Sequence, residues 1–143
     1  MKTNILKQTG LLLCIVVALL TTSCNKNESN SNQIVGNWVC ISCNGNNVEN
    51  DRSIAFREDK VYTDRTGILL GGVSNSYDCK WSIVDNCLYI DYTYMDGVYD
   101  SNGGHERREF HKTREFEIID LTHTSLKLQG KSYYNVIWEF NKK

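Results

Sequence analysis

The sequence predicts an all-β domain of about eight strands that follows an apolar leader. Two observations indicate this fold class. From residue 34 onward, short runs of alternating apolar and polar side chains are separated by Gly, Asn, Asp and Ser, which is the pattern of strands and turns. The chain also contains no proline, so no strand includes a residue that cannot donate to the sheet.

The first 24 residues resemble a bacterial lipoprotein signal. Lys2 and Lys7 precede the apolar run LLLCIVVALL, and small residues follow up to Cys24. A helix of that run would be about 15 Å long, half of a bilayer core, so it is too short to span a membrane. We therefore expect residues 1–23 to be a signal peptide and Cys24 to be lipidated. An ordinary secreted protein cut near Ser23 is the alternative.

The residues after Cys24 bear on location and on domain boundaries. Asn25 stands where an Asp would signal inner-membrane retention, so the resemblance implies a lipid-anchored protein of the outer membrane. Residues 25–33 contain no apolar side chain and are predicted to be a flexible tether. The globular domain is then residues 34–143.

The charge of the mature chain argues against one class of partner. Removing residues 1–23 removes two lysines and no acidic residue from the 16 basic and 17 acidic residues, which leaves a net charge of −3. A nucleic-acid-binding domain normally carries a basic surface. Nucleic acid is therefore not an expected partner.

The predicted strands are assigned in chain order from alternation and turn residues. They cover residues 34–42, 53–56, 60–63, 67–73, 77–84, 87–94, 109–121, 125–129 and 133–141. Residues 58–59 are a hairpin turn, and the glycine-rich run 67–73 is a weak or bulged strand. Residues 107–119 are the closest approach to a helical pattern, which leaves a helix there as the alternative.

The central hairpin has a register that its own side chains specify. Asp85 and Asn86 fit a two-residue turn that pairs Val84 with Cys87. Stepping outward from that turn, one face is apolar, and its pairs are Ile83–Leu88, Trp81–Ile90, Cys79–Tyr92 and Tyr77–Tyr94. The other face is polar, so a one-residue slip would mix the two faces.

Four cysteines remain after Cys14 leaves with the signal and Cys24 takes lipid. Outside the cytoplasm an even set of cysteines indicates disulfides, so we expect bridges among Cys40, Cys43, Cys79 and Cys87. In the hairpin register Cys79 and Cys87 lie on opposite faces and about 17 Å apart, which excludes a bond between them. Cys40 and Cys43 would then pair with Cys79 and Cys87, in an order that the sequence leaves open.

Neither redox activity nor zinc binding is favoured for these cysteines. Cys40 and Cys43 have C-x-x-C spacing, but a redox motif needs a helix N-terminus and the loop Asn44-Gly45 follows. A zinc site needs a second close pair, and Cys79 and Cys87 are too far apart. We expect no metal and no cofactor.

The segment 95–108 is predicted to be an irregular loop. Its acidic residues do not match a calcium-loop pattern, and His105 and His111 do not form the H-E-x-x-H motif. No acid/base set emerges, so an enzyme is not expected. Four basic residues lie at the end of this segment and just after it: Arg107, Arg108, Lys112 and Arg114. They are interpreted as an exposed strand face, and the alternative is a barrel mouth that binds an anion.

Several short motifs resemble those of the lipocalin-like domain found in many bacterial lipoproteins. Gly36-Asn37-Trp38 resembles the G-x-W of the first lipocalin strand, whose Trp closes the base of the barrel. Residues 56–62 and 81–90 resemble two hairpins of the family, and residues 116–122 and 126–128 resemble its closing strands. The resemblance implies a small antiparallel up-and-down barrel, with a β-sandwich as the alternative. It implies no activity.

The expected function is a non-enzymatic, lipid-anchored envelope protein whose barrel binds a small, mostly apolar ligand. The candidate lining residues are Trp38, Tyr77, Trp81, Ile90, Tyr92, Phe116 and Trp138. Because these side chains are large, they could also fill a barrel by themselves. The alternative is therefore a packed structural or interaction module with an envelope protein as its partner.

Overall fold

The computed structural model describes residues 28–48, 52–99, 101–131 and 135–143. The predicted signal peptide, residues 1–23, and the predicted lipidation site Cys24 lie outside the described residues. The strands are β1 (Gly36–Cys43), β2 (Asn46–Asn47), β3 (Ser53–Phe56), β4 (Tyr62–Asp64), β5 (Tyr77–Val84), β6 (Cys87–Tyr99), β7 (His105–Leu121), β8 (Ser125–Gly130) and β9 (Ile137–Lys142).

One antiparallel sheet contains all of these strands. Its order is β4-β3-β1-β9-β8-β7-β6-β5, and the short β2 pairs with β1. The two edge strands, β4 and β5, meet next to one bridge between Val61 and Lys80, and the Trp81 N–H donates to the Lys60 carbonyl at 2.9 Å. The sheet is thus a nearly closed, eight-stranded up-and-down barrel, which confirms the predicted fold class.

A short helix closes one end of the barrel, which we call the base. Residues 28–34 are helical, so the predicted tether is structured in part and the first strand begins at Gly36 instead of residue 34. Ile34 is fully buried, and Asn30 donates to the Asn86 side chain in the β5–β6 turn at 3.1 Å. The sequence showed no helical stripe here because Ile34 is the one apolar residue that this helix buries.

The central hairpin is confirmed from the turn to Lys80. Val84 pairs with Cys87 and Trp81 pairs with Ile90, and both turn residues, Asp85 and Asn86, have positive φ angles of 48° and 64°. Both angles suit a two-residue turn that matches the twist of the strands.

Beyond Lys80 the predicted pairing is wrong. A bulge shifts the register between Tyr77 and Lys80, and Asp78 in this bulge has a φ of 50°. Tyr77 therefore pairs with Thr93, not Tyr94. Because one shifted position exchanges the faces of a strand, Tyr77 lies on the outer face and donates a hydrogen bond to Glu109.

Strands β6 and β7 extend well into the predicted loop 95–108. Their pairing runs from Cys87–Glu117 to Tyr99–His105, so most of the predicted loop 95–108 is a two-stranded ribbon and the alternative helix at 107–119 is wrong. Cross-strand aromatic contacts accompany this extension: Tyr94 stacks on Phe110 at 5.5 Å between ring centroids.

The run 67–73 is not a strand. It belongs to a loop, residues 65–76, that enters the end of the barrel opposite the base, and we call it the plug loop. Its Leu69 and Leu70 side chains are buried in the core. Gly67, Gly71 and Gly72 have φ angles between +67° and +87°, which residues with a side chain rarely adopt.

Asp64 fixes the plug loop at its start. The carboxylate of Asp64 is buried and accepts hydrogen bonds from the Tyr62 hydroxyl at 2.9 Å, the Leu69 N–H at 3.0 Å and the Thr66 N–H at 3.2 Å. Burial and the neighbouring Asp64 carboxylate raise the pKa of Tyr62 well above its usual range. The buried Asp64 carboxylate thus holds the plug loop through hydrogen bonds to both of its oxygens.

The predicted disulfides are absent among the described cysteines. Cys40, Cys43, Cys79 and Cys87 are all free thiols. Cys40 lies in the core, where burial raises the pKa of its thiol to about 11. Cys87 instead lies next to Lys131, whose Nζ is 2.9 Å from Sγ. An even number of cysteines is thus compatible with free thiols here, because the barrel distributes the four side chains over separate environments.

Candidate ligand site at the mouth of the barrel

The end of the barrel opposite the base, which we call the mouth, contains a cavity of about 270 Å³. The plug loop forms one side of it, and β7, β8 and β9 form the other. The lining residues are Ile68, Leu69, Gly71, Arg114, Phe116, Gly130, Asn135, Val136 and Trp138. The cavity is therefore mostly apolar, with one charged side chain among these residues.

Two aromatic residues form the wall on the strand side. Phe116 on β7 and Trp138 on β9 meet edge to face, with 5.7 Å between ring centroids. Phe116 is buried, whereas Trp138 is half-buried and keeps part of its indole open to the cavity. Aromatic surface of this kind suits an apolar ligand.

Two glycines leave the space that the cavity occupies. A Cβ at Gly130 would lie 3.2 Å from Cζ3 of Trp138, and a Cβ at Gly71 would collide with Nη2 of Arg114. Gly71 also has a φ of +70°, which disfavours any side chain there. Both positions must be small if the plug loop and the indole are to stay where they are.

Arg114 reaches the cavity because of its position on β7. Side chains alternate along a strand, so Arg114 shares the inner face with Phe116 and Ile118, both of which are buried. Lys112, two residues earlier, shares that face and lies 5.3 Å from the centre of the Tyr94 ring. Its contact with Tyr94 raises the pKa of Lys112. The inner face of β7 is thus positively charged at the mouth.

A second cleft of about 420 Å³ lies on the other side of the plug loop, where β4 and β5 diverge. Tyr62, Asp64, Tyr77 and Cys79 are among its lining residues. Its polar groups already serve the fold, because Asp64 holds the plug loop and Tyr77 bonds Glu109. This cleft offers less to a ligand than the cavity at the mouth.

The predicted lining residues are found in three different environments. Trp38, Trp81 and Ile90 are buried in the interior, and they pack against their neighbours within the core. Phe116 and Trp138 line the cavity at the mouth. The structure brings these last two together as a site.

Of the two remaining predicted residues, Tyr77 differs from the expectation, whereas Tyr92 lies on the predicted inner face. Tyr77 is 37% exposed on the outer face, so its predicted inward position is wrong. Tyr92 is buried on the inner face, and its hydroxyl has no hydrogen-bond partner among the described residues. It stacks on Tyr94, with 5.9 Å between ring centroids.

Several site residues were missed by the sequence reasoning. Ile68, Leu69 and Gly71 were assigned to a strand, and Val136 and Gly130 drew no attention. The available signal was the glycines on both sides of Ile68-Leu69-Leu70, which are Gly67 before it and Gly71-Gly72 after it, because apolar residues between glycines can enter a core as a loop.

A polar cluster lies on the outer face of the barrel. Lys131 Nζ is 2.9 Å from both the Cys87 Sγ and the Glu115 Oε1. These contacts raise the pKa of Lys131, and Lys131 lowers the pKa of Glu115. Tyr89 also bonds Glu115 at 3.4 Å, so each group of this cluster is engaged by a neighbour.

Within the described ranges, no three His, Cys, Asp or Glu side chains are grouped closely enough to hold a metal ion. The same part of the chain contains no helix that is both long and apolar enough to cross a membrane.

No family model, curated protein or solved structure significantly matches this chain. The resemblance to the lipocalin-like domain of bacterial lipoproteins therefore stays a prediction. What this protein binds has to be inferred from its own residues.

Proposed function

We propose that this protein is a lipid-anchored protein of the bacterial outer membrane whose barrel binds a small, mostly apolar molecule. The cavity between the plug loop and the Phe116–Trp138 wall carries the proposal. It is an apolar recess at one end of a small barrel, a common place for a ligand site. Its volume of about 270 Å³ fits a small molecule and not a drug-sized one.

The position of residues 28–34, which lead into the barrel, supports this proposal. Residues 28–34 contact the base, where Asn30 bonds Asn86 and the Gln33 carbonyl accepts from Lys142 at 3.1 Å. The cavity lies at the opposite end. A lipid on Cys24 would therefore anchor the base, and the mouth would face away from that anchor toward the aqueous side.

The test is native mass spectrometry of the full-length protein extracted from its own membrane, followed by denaturation. A small molecule released at about one per chain supports the proposal. As a second readout, N-phenyl-1-naphthylamine should gain fluorescence with the wild type. Trp138→Ala should weaken that gain, whereas Ile119→Ala, on the outer face, should not. A bare mass with no fluorescence gain contradicts the proposal.

A packed interaction module is the second candidate, and the ribbon of β6 and β7 favours it. Beyond Thr93 the ribbon extends past the pairing of β5, and its Tyr99 is 75% exposed. An aromatic residue on a projecting ribbon suits contact with a protein. If the bare mass is found, a protein partner at this ribbon becomes the preferred explanation.

A further inference from the structure

The cavity at the mouth combines an apolar wall with one charged group. Among the described residues that line the cavity, Arg114 is the only ionisable side chain, and none is acidic. An arginine stays protonated at any physiological pH. The cavity therefore presents a fixed positive charge at the edge of an apolar surface.

The structure holds this charge in place. Arg114 is half-buried, between the buried Phe116 and the exposed Lys112 on the inner face of β7. Gly71 of the plug loop presses against its guanidinium so closely that a methyl group there would overlap Nη2. A guanidinium placed by its neighbours loses little freedom when it binds a ligand.

The chemistry of the group then specifies its partner. A planar guanidinium binds a carboxylate or a similar oxyanion through paired N–H donors, and the bond strengthens where water is partly excluded. Lys112 adds positive charge on the same face, two residues away.

We propose, on the basis of the proposed function, that the ligand carries an anionic group that binds Arg114 while its apolar part lies against Trp138 and Phe116. The ligand class is a small organic acid with a ring or a short chain. Such an acid can be linear or cyclic, and both kinds carry the same anionic head group.

The test compares two probes that share shape and differ in charge. 2-Naphthoate and 2-naphthamide are titrated by calorimetry into the full-length protein in nanodiscs of zwitterionic lipid, with empty nanodiscs as the blank. The wild type should bind the acid about tenfold more tightly than the amide. A parallel titration with octanoate distinguishes linear from cyclic acids, and tight binding of either supports the proposal.

Variants test whether Arg114 causes the preference for the acid over the amide. Arg114→Gln should reduce the preference for 2-naphthoate to about twofold or less, and Arg114→Lys should restore part of it. Arg107→Gln is the matched control, because it removes the same charge from the opposite face of β7 and should keep the preference. If Arg114→Gln does not fold, added salt should weaken binding of the acid but not of the amide to the wild type.

The outcomes separate the inference from the proposed function. Equal binding of acid and amide to the wild type overturns the anionic ligand and leaves an apolar site. A preference that Arg114→Gln retains also overturns it. No binding of any probe, together with the bare mass described above, overturns both.

Discussion

The indole N–H of Trp38 donates to the backbone carbonyl of Ile34 across 2.7 Å, inside the base of the barrel. This bond joins the first strand to the helix that precedes it, and both residues are fully buried. Trp38 of the G-x-W motif thus packs in the core and also donates a hydrogen bond to a carbonyl that water does not reach.

Replacing this indole should destabilise the barrel. Trp38→Phe leaves the Ile34 carbonyl without its donor, so we expect a loss of about 1–3 kcal/mol from this group alone. Urea unfolding followed by circular dichroism measures the change. Ile119→Ala on the outer face is the control and should change stability by about 0.5 kcal/mol or less. A Trp38→Phe variant as stable as the wild type would contradict the role of the bond.

The β5–β6 turn allows strain and hydrogen bonding to be separated. Asp85 and Asn86 both have positive φ, so alanine at either should cost about 1 kcal/mol through backbone strain. The Asn86 side chain also donates to the Ile118 carbonyl at 2.7 Å and accepts from Asn30 at 3.1 Å. We therefore expect Asn86→Ala to cost about 1 kcal/mol more than Asp85→Ala in the same unfolding experiment. Equal costs would mean that these two side-chain bonds contribute nothing.

Weakening the Asp64 acceptor should loosen the plug loop. Both carboxylate oxygens accept hydrogen bonds, and an asparagine keeps one acceptor oxygen, so Asp64→Asn should cost about 2–3 kcal/mol. Hydrogen exchange should rise most in residues 65–72. Asp59→Asn is the control, because Asp59 lies in an exposed turn, where it accepts from the Val61 N–H at 3.3 Å and pairs with Arg57 at 3.3 Å. Unchanged exchange in the plug loop would show that Asp64 does not hold it.

The buried thiol of Cys40 predicts a loss of stability in alkali. Its pKa is raised by burial from 9.0 to about 11, so the folded state holds the proton more tightly than the unfolded state. This stabilisation is complete below pH 9 and is lost as pH rises toward 11, up to roughly 2–3 kcal/mol. The stability difference between wild type and Cys40→Ala should therefore shrink over this range. A constant difference would contradict a buried free thiol.

Filling the space beside Trp138 should impair the cavity. A methyl group at Gly130 would lie 3.2 Å from the indole, so Gly130→Ala should push the ring and lower affinity for N-phenyl-1-naphthylamine about fivefold to tenfold. Gly45→Ala is the control, because a Cβ there has no atoms within 4 Å. That variant carries backbone strain but should bind the probe like the wild type. Equal binding by both variants would place the probe elsewhere.

Where local patterns decide, the sequence predicted the structure well. The β5–β6 register from Val84 to Lys80 followed from a turn and two contrasting faces. The up-and-down barrel was implied by the resemblance of short motifs to the lipocalin-like domain. The bulge at Asp78 was not foreseeable, because nothing in the local residues marks an extra position. Tyr77 therefore changed faces, and one predicted lining residue was lost to the outer surface.

The cavity itself could not be predicted because its parts are distant in the chain. The plug loop meets β7 and β9 only after the barrel forms, and an apolar run between glycines is read more easily as a strand. The ribbon of β6 and β7 was also missed, because residues within it are typical of a loop. Gly97 and Asp96 look like loop residues, yet the cross-strand pairing continues through them to Tyr99 and His105.

The first strand of the barrel pairs with the last, β1 with β9, and this has a consequence for how the chain folds. Trp38 must find Lys142 across nearly the whole domain, so closure depends on contacts of the longest sequence separation. We expect local hairpins such as β5–β6 to form early, because their loops are short, whereas the barrel cannot close before β9 is available to pair with β1. Folding in milliseconds to seconds is expected for such a topology, and truncation of the last strand leaves an open sheet with two exposed edges.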